Sequence, residues 1–394
     1  MALANQNIAI IGAGIGGLAA AIALAQKGAQ LRVYEQAEGL GEVGAGLQIS
    51  ANGVAVLSAL GLRAAAAKHA NTPEAIVLRD YRGAAVTRLP MAASAEARYG
   101  HPYWQFHRAD LLSVLESGAK AAGVQMVFNH RLIGLSQSES GVEAEFANGE
   151  VVKADGLIGA DGVRSVVRGL ALQGRPAVFT GQVAWRGLVA AERLPSGLFE
   201  NAAQVFMGKG RHLVAYPLRG GSLINFVAVE ERQSWAEEGW NIPDTPENLR
   251  AAFSGFAPQV QALLAEVDNT FLWGLFNHPV LPHWANRRVG LVGDACHPML
   301  PFLAQGAVMG LEDGYVLAEK LAKQGIEAGL QAFEAVRKPR TTRVQRGAAR
   351  NAWSYHLRNP LFRGAAHKVL GMVPKNALMG QFEYLYAHDV TKDT

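Results

Sequence analysis

Apolar and polar positions near the start of the chain follow two different periods. Residues 7–11 form a short β-branched apolar run, residues 12–17 are rich in glycine, residues 18–27 are rich in alanine, and residues 30–34 form a second apolar run. Short apolar runs bounded by turn residues are typical of buried strands, whereas alanine favours helix. The pattern therefore predicts a β-strand, a turn, an α-helix and a second β-strand.

The rest of the chain repeats these signals and adds two stretches that are rich in strands. Asn148-Gly149 is the strongest two-residue hairpin signal, and Asp110 is placed to cap an amphipathic helix. The predicted elements after the opening unit are strands at 75–79, 85–89, 124–128, 142–146, 151–154, 157–159, 183–189, 212–216, 223–229 and 288–292, and helices at 110–122, 246–264, 307–324 and 329–349. This order predicts an α/β fold whose first domain is interrupted by a β-rich part.

Composition places the chain among folded globular proteins. Of its 394 residues, 49% are hydrophobic and 18% are charged, which is enough apolar material for a large core. Residues 8–25 carry no charge, but the glycines within 12–17 would break a membrane-spanning helix, and no positively charged leader precedes them. The single cysteine, Cys296, cannot form an internal disulfide. We expect a cytoplasmic protein with no membrane segment.

The net charge of +4 is a modest excess that favours small anionic ligands. The strongest basic cluster lies within residues 337–350 and consists of Arg337, Lys338, Arg340, Arg343, Arg346 and Arg350. Several of these side chains would share a helix face, but no aromatic residues are interleaved with them to stack on bases. We interpret the cluster as a solvated helix face and expect no nucleic-acid partner.

Metal-ligand spacings are missing from the sequence. The eleven histidines form no HxH, HxxxH or HExxH arrangement, and Cys296 has no second cysteine as a partner. We expect no metal site, and we expect the Cys296 thiol to pack rather than to react.

The strongest chemical signal is the glycine fingerprint of the opening unit. Gly12-Ala13-Gly14-Ile15-Gly16-Gly17 follows a strand and begins a helix, and Glu35 ends the second strand about 20 residues further on. Glycines at these positions let the backbone approach a pyrophosphate, which the N–H groups of the helix N-terminus can bind. Glu35 can accept a ribose hydroxyl and would repel a 2′-phosphate, so the fingerprint predicts bound FAD or NAD.

Two further segments narrow this choice. They are Gly159-Ala160-Asp161-Gly162-Val163-Arg164-Ser165 and Gly293-Asp294-Ala295-Cys296-His297-Pro298, each directly after an apolar strand. Together with the fingerprint, they resemble the three signature motifs of the FAD-dependent aromatic hydroxylases, the single-component class A flavoprotein monooxygenases, over nearly the whole chain. Residues 106–111, 184–187, 216–217 and 383–389 are most similar to the branch that contains salicylate hydroxylase and 6-hydroxynicotinate monooxygenase.

The resemblance implies a Rossmann-like FAD-binding domain of the glutathione-reductase and p-hydroxybenzoate-hydroxylase type, with an inserted β-rich substrate domain and a C-terminal helical tail. The predicted division gives residues 1–72, 101–179 and 273–360 to the FAD-binding domain, residues 73–100 and 180–272 to the substrate domain, and residues 361–394 to the tail. The tail either packs on the body of the protein or forms the contact of a homodimer.

The resemblance also implies which residues hold the cofactor. Arg108 would lie near the FAD pyrophosphate and ribose, and Asp294 would accept hydrogen bonds from the ribityl chain. Asp161 and Gly162 would lie behind FAD and the passing nicotinamide nucleotide, and the helix that begins near Ala307 would stabilise negative charge on the reduced flavin. As alternatives, Arg108 and Asp161 could form a structural salt bridge, and Asp294 could merely cap. The full predicted cofactor set is Gly12, Gly14, Ile15, Gly16, Gly17, Glu35, Gln36, Gly46, Leu47, Arg108, Asp161, Gly162, Gly293, Asp294, Pro301, Gly306, Ala307 and Val308.

The sequence departs from the branch at two positions. Ala304 precedes Gln305-Gly306 where the branch often has glycine. Gln48 occupies a flavin-adjacent position where some relatives have histidine, and an amide cannot act as a general base.

Tyr216 is the residue predicted to orient or deprotonate a phenolic substrate, with a buried core tyrosine as the alternative interpretation. Pro301 would line the oxygen pocket. His212 and Arg186 are weaker candidates that we interpret as structural.

Residues and resemblance together predict an FAD-dependent NAD(P)H aromatic monooxygenase. NAD(P)H would reduce FAD, O₂ would form a C4a-hydroperoxyflavin, and a salicylate-like hydroxybenzoate or a hydroxypyridine carboxylate would take up one oxygen atom. Because the chain has one fingerprint, NAD(P)H is expected to bind only transiently. The alternatives on the same fold are a flavin-dependent epoxidase or an O₂-independent reductase of a lipophilic substrate, and a non-catalytic flavin-binding redox sensor.

Overall fold

The structure, a computed structural model, describes residues 3–41, 45–172, 174–232 and 242–392. Its strands are β1 (Asn7–Ile11), β2 (Gln30–Tyr34), β3 (Gly46–Ile49), β4 (Ala75–Asp80), β5 (Ala85–Pro90), β6 (Trp104–His107), β7 (Gln125–Val127), β8 (Leu132–Gln137), β9 (Val142–Phe146), β10 (Val151–Ala154), β11 (Gly156–Gly159), β12 (Val178–Ala190), β13 (Ala202–Gly208), β14 (Arg211–Leu218), β15 (Leu223–Glu231), β16 (Ile242–Asp244), β17 (Thr270–Asn277), β18 (Ala285–Asn286) and β19 (Val289–Leu291).

The α-helices alternate with these strands in the first half of the chain and dominate its end. They are α1 (Ile15–Gln26), α2 (Ala51–Ala59), α3 (Arg63–Ala67), α4 (Ala92–Tyr99), α5 (Arg108–Ala121), α6 (Val166–Ala171), α7 (Pro246–Ala252), α8 (Pro258–Ala265), α9 (Gly306–Gln324), α10 (Ile326–Tyr355), α11 (Pro360–Met372), α12 (Lys375–Gly380) and α13 (Glu383–Tyr386).

A six-stranded, mostly parallel sheet carries the glycine fingerprint. Its strand order is β18-β19-β11-β1-β2-β7, and β1 pairs in parallel with both β2 and β11. Ile8, Ile10 and Leu18 are buried where α1 packs on this sheet, and the crossover from β1 through α1 to β2 is the predicted βαβ unit. The expected Rossmann-like α/β fold is confirmed.

A second, eight-stranded sheet has the order β16-β17-β12-β15-β14-β13-β4-β5. Residues 75–90 enter it because β4 pairs in parallel with β13, and residues 178–277 supply the other strands. One face of this sheet packs against α7 and α8 in a separate apolar core that includes Phe206, Phe226 and Leu263. The opposite face looks toward the six-stranded sheet and forms part of the candidate site described below.

Local predictions differ in outcome. The hairpin is confirmed, because β9 and β10 pair in antiparallel around Gly149, whose φ is 87°. The single helix at 246–264 is wrong, because Ala257 is extended in front of Pro258, as residues before proline prefer, and the helix restarts there. The helix expected at Asp110 begins two residues earlier, and its N-cap is His107.

The interpretation of the basic cluster as a solvated face is wrong for Arg337, which is only 1% exposed. It lies on the inward stripe of α10 with Phe333, Thr341 and Val344, all buried. α10 runs from Ile326 to Tyr355 and is longer than predicted at both ends. The members of the cluster that are exposed lie on the opposite side of the helix: Arg343, Arg346 and Arg350.

The C-terminal helices pack back onto the body of the protein. In α11, Phe362, Val369 and Leu370 line the large cavity between the two sheets. Phe362 and Val369 are nevertheless exposed, as are Leu361 and Met372. Among the described residues, no helix combines the length and the hydropathy needed to cross a bilayer.

Candidate functional site

A cavity of about 1080 Å³ lies between the glycine edge of the six-stranded sheet and the inner face of the eight-stranded sheet. The end of α10 and the inner side of α11 cover it. Ligands in open α/β sheets bind outside the carboxyl ends of the parallel strands, and this cavity lies at that position.

Strand alternation explains which side chains face the cavity. His212, Val214 and Tyr216 of β14 line it, whereas Leu213 and Ala215 between them pack in the core with α7 and α8. On the neighbouring strands, side chains likewise alternate between the cavity and the core with α7 and α8. One face of the sheet is therefore a ligand-facing wall and the other is core.

The fingerprint loop leaves backbone donors open toward the cavity. Gly14 is the N-cap of α1, it has no side-chain capping hydrogen bond, and it lines the cavity with Ile15 and Gly16. Gly12 has φ 104°, and a Cβ there would lie 2.5 Å from the carbonyl oxygen of Ala160. The tight turn thus requires glycine and exposes the N-terminus of α1, which suits an anionic group.

Two predicted carboxylates bind backbone in the structure. Oε2 of Glu35 accepts a hydrogen bond of 2.9 Å from the Ala13 N–H, so Glu35 holds the fingerprint loop. Oδ2 of Asp161 accepts hydrogen bonds from the N–H groups of Val166 and Val167, at 2.7 and 3.1 Å, and caps α6. No salt bridge joins Asp161 to Arg108 within the described ranges.

Arg108 and Asp294 both line the cavity. Burial raises the pKa of the Asp294 carboxyl, and its oxygens accept no hydrogen bond from the residues that the structure describes, so the capping alternative finds no support. Gly306, at the start of α9, stands nearby, and α9 has no side-chain capping hydrogen bond. The Asp294 carboxyl, the Arg108 cation and the open N-terminus of α9 thus face the same space.

Ala304, which precedes α9, has φ 52°. This left-handed conformation favours glycine, which explains why glycine often occupies this position in the branch.

A buried ionic network holds this end of the site in place. Arg337 Nη1 lies 2.6 Å from Glu312 Oε2, and Arg337 Nε lies 2.8 Å from Asp313 Oδ1. Oδ2 of Asp313 accepts a hydrogen bond of 2.8 Å from the Gly293 N–H, next to Asp294. Burial alone would raise the pKa of each carboxyl, but the cations beside them outweigh it and lower both pKa values to about 2. The network therefore stays ionised at neutral pH.

Although the sequence has no metal-ligand spacing, the fold brings two ligand-type side chains close to Cys296. One ligand atom each of Cys296, His297 and Asp313 lie within 4.8 Å of one another. His297 Nε2 stands 2.5 Å from Asp313 Oδ2, which already accepts from Gly293, and Arg337 occupies the other oxygen. Burial raises the pKa of the Cys296 thiol, which suits packing. We assign this cluster to the structural network.

Tyr216 lies at the centre of a polar group in the cavity wall. The Gln48 side chain lies beside the Tyr216 hydroxyl, and Oε1 of Gln48 accepts a hydrogen bond from Tyr103. Burial raises the pKa of Tyr216, which makes its phenol a weaker base than in water. A Cβ on Gly46 would lie 2.7 Å from the Tyr216 oxygen, so only glycine leaves room for this arrangement.

Two residues interpreted as structural also face the cavity. The guanidinium carbon of Arg186 lies 4.1 Å from the centre of the Trp273 ring, and burial lowers the pKa of Arg186 to about 10, so it keeps its charge at neutral pH. His212 is 2% exposed and lines the same wall. On their strands, Arg186 and His212 alternate with the core residues Trp185 and Leu213. This alternation indicates that they face the cavity only once the core face of the sheet is known.

Most of the predicted site residues come together at this cavity. Those that line it are Gly14, Ile15, Gly16, Gly46, Leu47, Gln48, Arg108, Gly162, Tyr216, Gly293, Asp294, Pro301, Gly306 and Ala307. Those that lie behind its surface or outside it are Gly12, Gly17, Glu35, Gln36, Asp161 and Val308.

Comparison with known proteins agrees with this geometry. Residues 5–348 match a family model described as FAD binding domain. Among relatives in sequence, 3-amino-4-hydroxybenzoate 2-monooxygenase of Streptomyces platensis is 38% identical over 90% of this chain and 89% of that enzyme, and 3-hydroxybenzoate 6-hydroxylase of Polaromonas naphthalenivorans is 34% identical over 92% of each.

Solved structures with the same fold include HpxO of Klebsiella pneumoniae in complex with FAD and uric acid, with a TM-score of 0.85 at 27% identity over 98% of this chain and 97% of that one. A salicylate hydroxylase substrate complex gives a TM-score of 0.82 at 26% identity over 99% of this chain and 97% of that one.

Proposed function

This chain belongs to the FAD-binding family of flavin-dependent aromatic monooxygenases, and we propose that the ring it hydroxylates carries both a hydroxyl group and a carboxylate. The observation that carries the proposal is Arg186, a buried and charged guanidinium in the wall of a largely apolar cavity. Two relatives in sequence are named for substrates with both groups, 3-amino-4-hydroxybenzoate and 3-hydroxybenzoate.

Arg186 would bind the carboxylate. A buried cation is stabilised by an aromatic face and by an anion, and the Trp273 ring stacks on one face of the guanidinium. The planar fork of arginine matches a carboxylate in a bidentate pair. A carboxylate bound to Arg186 would therefore fix the position of the ring along the cavity wall.

Tyr216 would orient the hydroxyl of the ring. Since Tyr216 lines the cavity, its phenolic O–H can donate to a ligand oxygen. The raised pKa keeps this group protonated, so its role is to hold the ring hydroxyl rather than to remove its proton.

The residues at the other end of the cavity fit FAD. The open N-terminus of α1 and the cationic Arg108 suit a pyrophosphate, and the Asp294 carboxylate suits ribityl hydroxyls. The N-terminus of α9 at Gly306 would stabilise negative charge at the pyrimidine edge of the ring system. FAD, when bound and reduced by NAD(P)H, supplies the activation of dioxygen that leads to ring hydroxylation.

The remaining contribution of the chain is to keep water out. Leu370 lines the cavity on the side of α11, and Met207 and Val229 line it on the side of the sheet. A dry cavity strengthens each polar contact to the ring and limits the loss of activated oxygen to water.

NAD(P)H would bind only transiently, since the described strands and helices form one fingerprint loop. Tight, stoichiometric retention of NADH after purification would contradict this proposal.

We place the protein in the cytoplasm, where NAD(P)H is supplied and Cys296 stays reduced.

The exposed apolar residues of α11 form the surface on which we expect a homodimer, and sedimentation would test this expectation.

A paired substrate panel tests the proposed function. The FAD-loaded enzyme is mixed with NADH, O₂ and one of salicylate, 3-hydroxybenzoate, 3-amino-4-hydroxybenzoate or 6-hydroxynicotinate, and each acid is compared with the same ring without its carboxylate. At least one acid should accelerate NADH oxidation and yield a hydroxylated product, and its decarboxylated partner should need a much higher concentration. Equal use of both partners would refute the role of the carboxylate.

A further inference from the structure

A second cavity lies on the outer side of α10, away from the buried Arg337. This α10 groove has a volume of about 1170 Å³ and follows the helix from Gln331 to Arg350, with Gln381 and Tyr384 of the C-terminal tail on its other side. At 1.5 Å per residue, this stretch of helix is roughly 28 Å long. The α10 groove is therefore a long surface feature rather than a pocket for a single ring.

The charge of the α10 groove is strongly positive. Arg343, Arg346 and Arg350 line it in one row with spacings of three and four residues, and all three are exposed. In the part of the chain that the structure describes, none of these three arginines forms an ion pair with a carboxylate. Among the described residues that line the groove, the acidic one is Glu334, which pairs with Lys338 at 3.0 Å near the other end. The row therefore presents three positive charges to solvent.

The packing of α10 against the tail holds this row close to the large cavity. The guanidinium carbon of Arg343 lies 4.3 Å from the centre of the Tyr384 ring. A Cβ on Gly347 would lie 2.7 Å from the Tyr384 hydroxyl oxygen and 3.2 Å from Cδ1 of Leu303, so glycine lets both side chains lie against the helix. Since Leu303 lines the large cavity, the groove and the cavity are neighbours at this point.

The α10 groove ends where the large cavity opens to solvent. Arg350 and Gln381 line both spaces. The cavity is also lined by Trp353 and Ser354, which follow on α10 and are exposed, Trp353 by 66%. The row of arginines thus ends at an opening of the cavity whose wall carries Arg186, the cation proposed to bind the carboxylate.

We infer that the α10 groove attracts the anionic aromatic substrate and guides it into the large cavity by means of Arg343, Arg346 and Arg350. The inference rests on the proposed function and deepens it, because it states how a carboxylated ring reaches Arg186. Clefts lined by one sign of charge raise the local concentration of a ligand of the opposite sign and its association rate.

The dimensions of the row suit this role. The Cα atoms of Arg343 and Arg350 are seven residues apart, or about 10 Å along the helix, which is roughly the Debye length at 0.1 M salt. An approaching carboxylate therefore experiences the three charges together at low salt, whereas high salt screens each of them. This dependence on salt distinguishes attraction by the groove from tight binding inside the cavity.

The association rate of the substrate tests the inference directly. FAD-loaded enzyme without NADH is mixed in a stopped-flow instrument with the panel acid that gives the highest turnover, and the change in flavin absorbance gives the association and dissociation rate constants. The groove variant is Arg343→Gln/Arg346→Gln, because neither residue lines the cavity. The matched control is Lys68→Gln/Arg131→Gln, which removes the same net charge from exposed positions outside both spaces.

At an ionic strength of about 0.01 M, the groove variant should bind the acid roughly 3-fold to 10-fold more slowly than the wild type. At about 1 M, where the Debye length is about 3 Å, the two rates should converge. The dissociation rate and kcat at saturating acid should stay unchanged. The same ring without its carboxylate should bind both proteins at equal rates, and the control variant should bind the acid at the wild-type rate. Circular dichroism and bound FAD confirm that each variant is folded.

NADH is also an anion, and a second arm of the experiment separates it from the substrate. Flavin reduction by NADH is followed without O₂ at saturating acid, and the groove variant should be reduced at the wild-type rate. Slower reduction together with unchanged binding of the acid would assign the groove to the nucleotide and overturn the inference.

Two further results would overturn the inference while the proposed function stands. They are wild-type association of the acid with the folded groove variant at low salt, and equal slowing in the groove variant and the control, which would show a general effect of net charge. A wild-type enzyme that hydroxylates no acid of the panel would overturn the proposed function and the inference together.

Discussion

Arg186 and Trp273 form a stacked pair, with the guanidinium carbon 4.1 Å from the ring centre, at the wall of the large cavity. β12 and β17 are neighbours in the eight-stranded sheet, and the pairing of Arg186 with Phe271 in their register leaves Trp273 two positions along on the same face. The pair therefore gives the cavity a fixed cation, which suits an anionic group on the ligand.

Replacing Arg186 with methionine removes this cation and keeps much of its length. The KM for a carboxylated ring should rise roughly 10-fold to 100-fold, because a hydrogen-bonded charge pair contributes about 1.5–3 kcal/mol. The KM for the same ring without a carboxylate should change little. Steady-state kinetics with both rings measure the difference, and Arg82→Met, which removes a surface arginine stacked on Tyr81, is the control. Equal effects on both rings would contradict the assignment.

Tyr216→Phe tests the orienting role of the phenol. Loss of one hydrogen bond should lower kcat/KM by roughly 3-fold to 10-fold. Because burial keeps the Tyr216 pKa above its usual value, the phenol does not titrate at working pH, and the pH profile between about 6 and 9 should keep its shape. A profile that loses a limb in the variant would show that Tyr216 acts as a base.

Gly46→Ala should disturb the polar group in the wall. The new Cβ would lie 2.7 Å from both the Tyr216 oxygen and Cγ of Asn225, so these buried side chains must move, at a cost of about 1–3 kcal/mol. The thermal unfolding temperature should fall, and the KM for the substrate should rise. Gly169→Ala, in α6 with no atom within 4 Å of its added Cβ, should leave stability equal or slightly improved. An unchanged Gly46→Ala protein would contradict the packing.

Arg337→Met should destabilise the fold strongly. It leaves Glu312 and Asp313 buried without their shared cation, and breaking a buried pair in this way costs about 3–5 kcal/mol. Chemical denaturation measures the loss. The exposed ion pairs of Arg193 with Glu266 and Asp268 provide the comparison, because solvent screens them and Arg193→Met should cost much less stability. Similar losses in both variants would refute the network.

The same network predicts acid lability. The pKa values of Glu312 and Asp313 are about 2 in the folded protein, below their ordinary values of 4.5 and 3.8. The unfolded chain binds these protons first, so the stabilisation is complete above about pH 4.5 and is lost as the pH falls toward about 2. The free energy of unfolding should decline through this window, and more gently in Arg337→Met. A flat profile in the wild type would contradict the ionised network.

The sequence predicted the cofactor half of the site better than the substrate half. The fingerprint and the segments around Asp161 and Asp294 are local, because each follows its strand directly, and their residues come together where parallel strands end. The cavity-facing roles of Arg186 and His212 depend on the pairing of distant strands, and a shift of one residue would turn both side chains into the core. His356 has no motif at all, and only the fold brings it to His212.

The helical spacing of apolar residues around Arg337 already indicates that this residue is buried. Leu330, Phe333, Val344 and Ala348 lie on one stripe of α10, and Arg337 falls in the middle of that stripe at helical spacing. Composition alone favoured a solvated charge, whereas periodicity favoured burial with partners. Only the structure shows what those partners are, since the two acidic residues lie on another helix.

Incorporation of oxygen-18 from labelled dioxygen tests the central claim most directly. The FAD-loaded enzyme is given NADH, labelled dioxygen and the panel of paired rings, and the products are analysed by mass spectrometry. We predict one labelled oxygen atom per product, on a ring that carries both a hydroxyl and a carboxylate. Products whose new oxygen comes from water, or consumption of NADH without a hydroxylated ring from any member of the panel, would contradict the account.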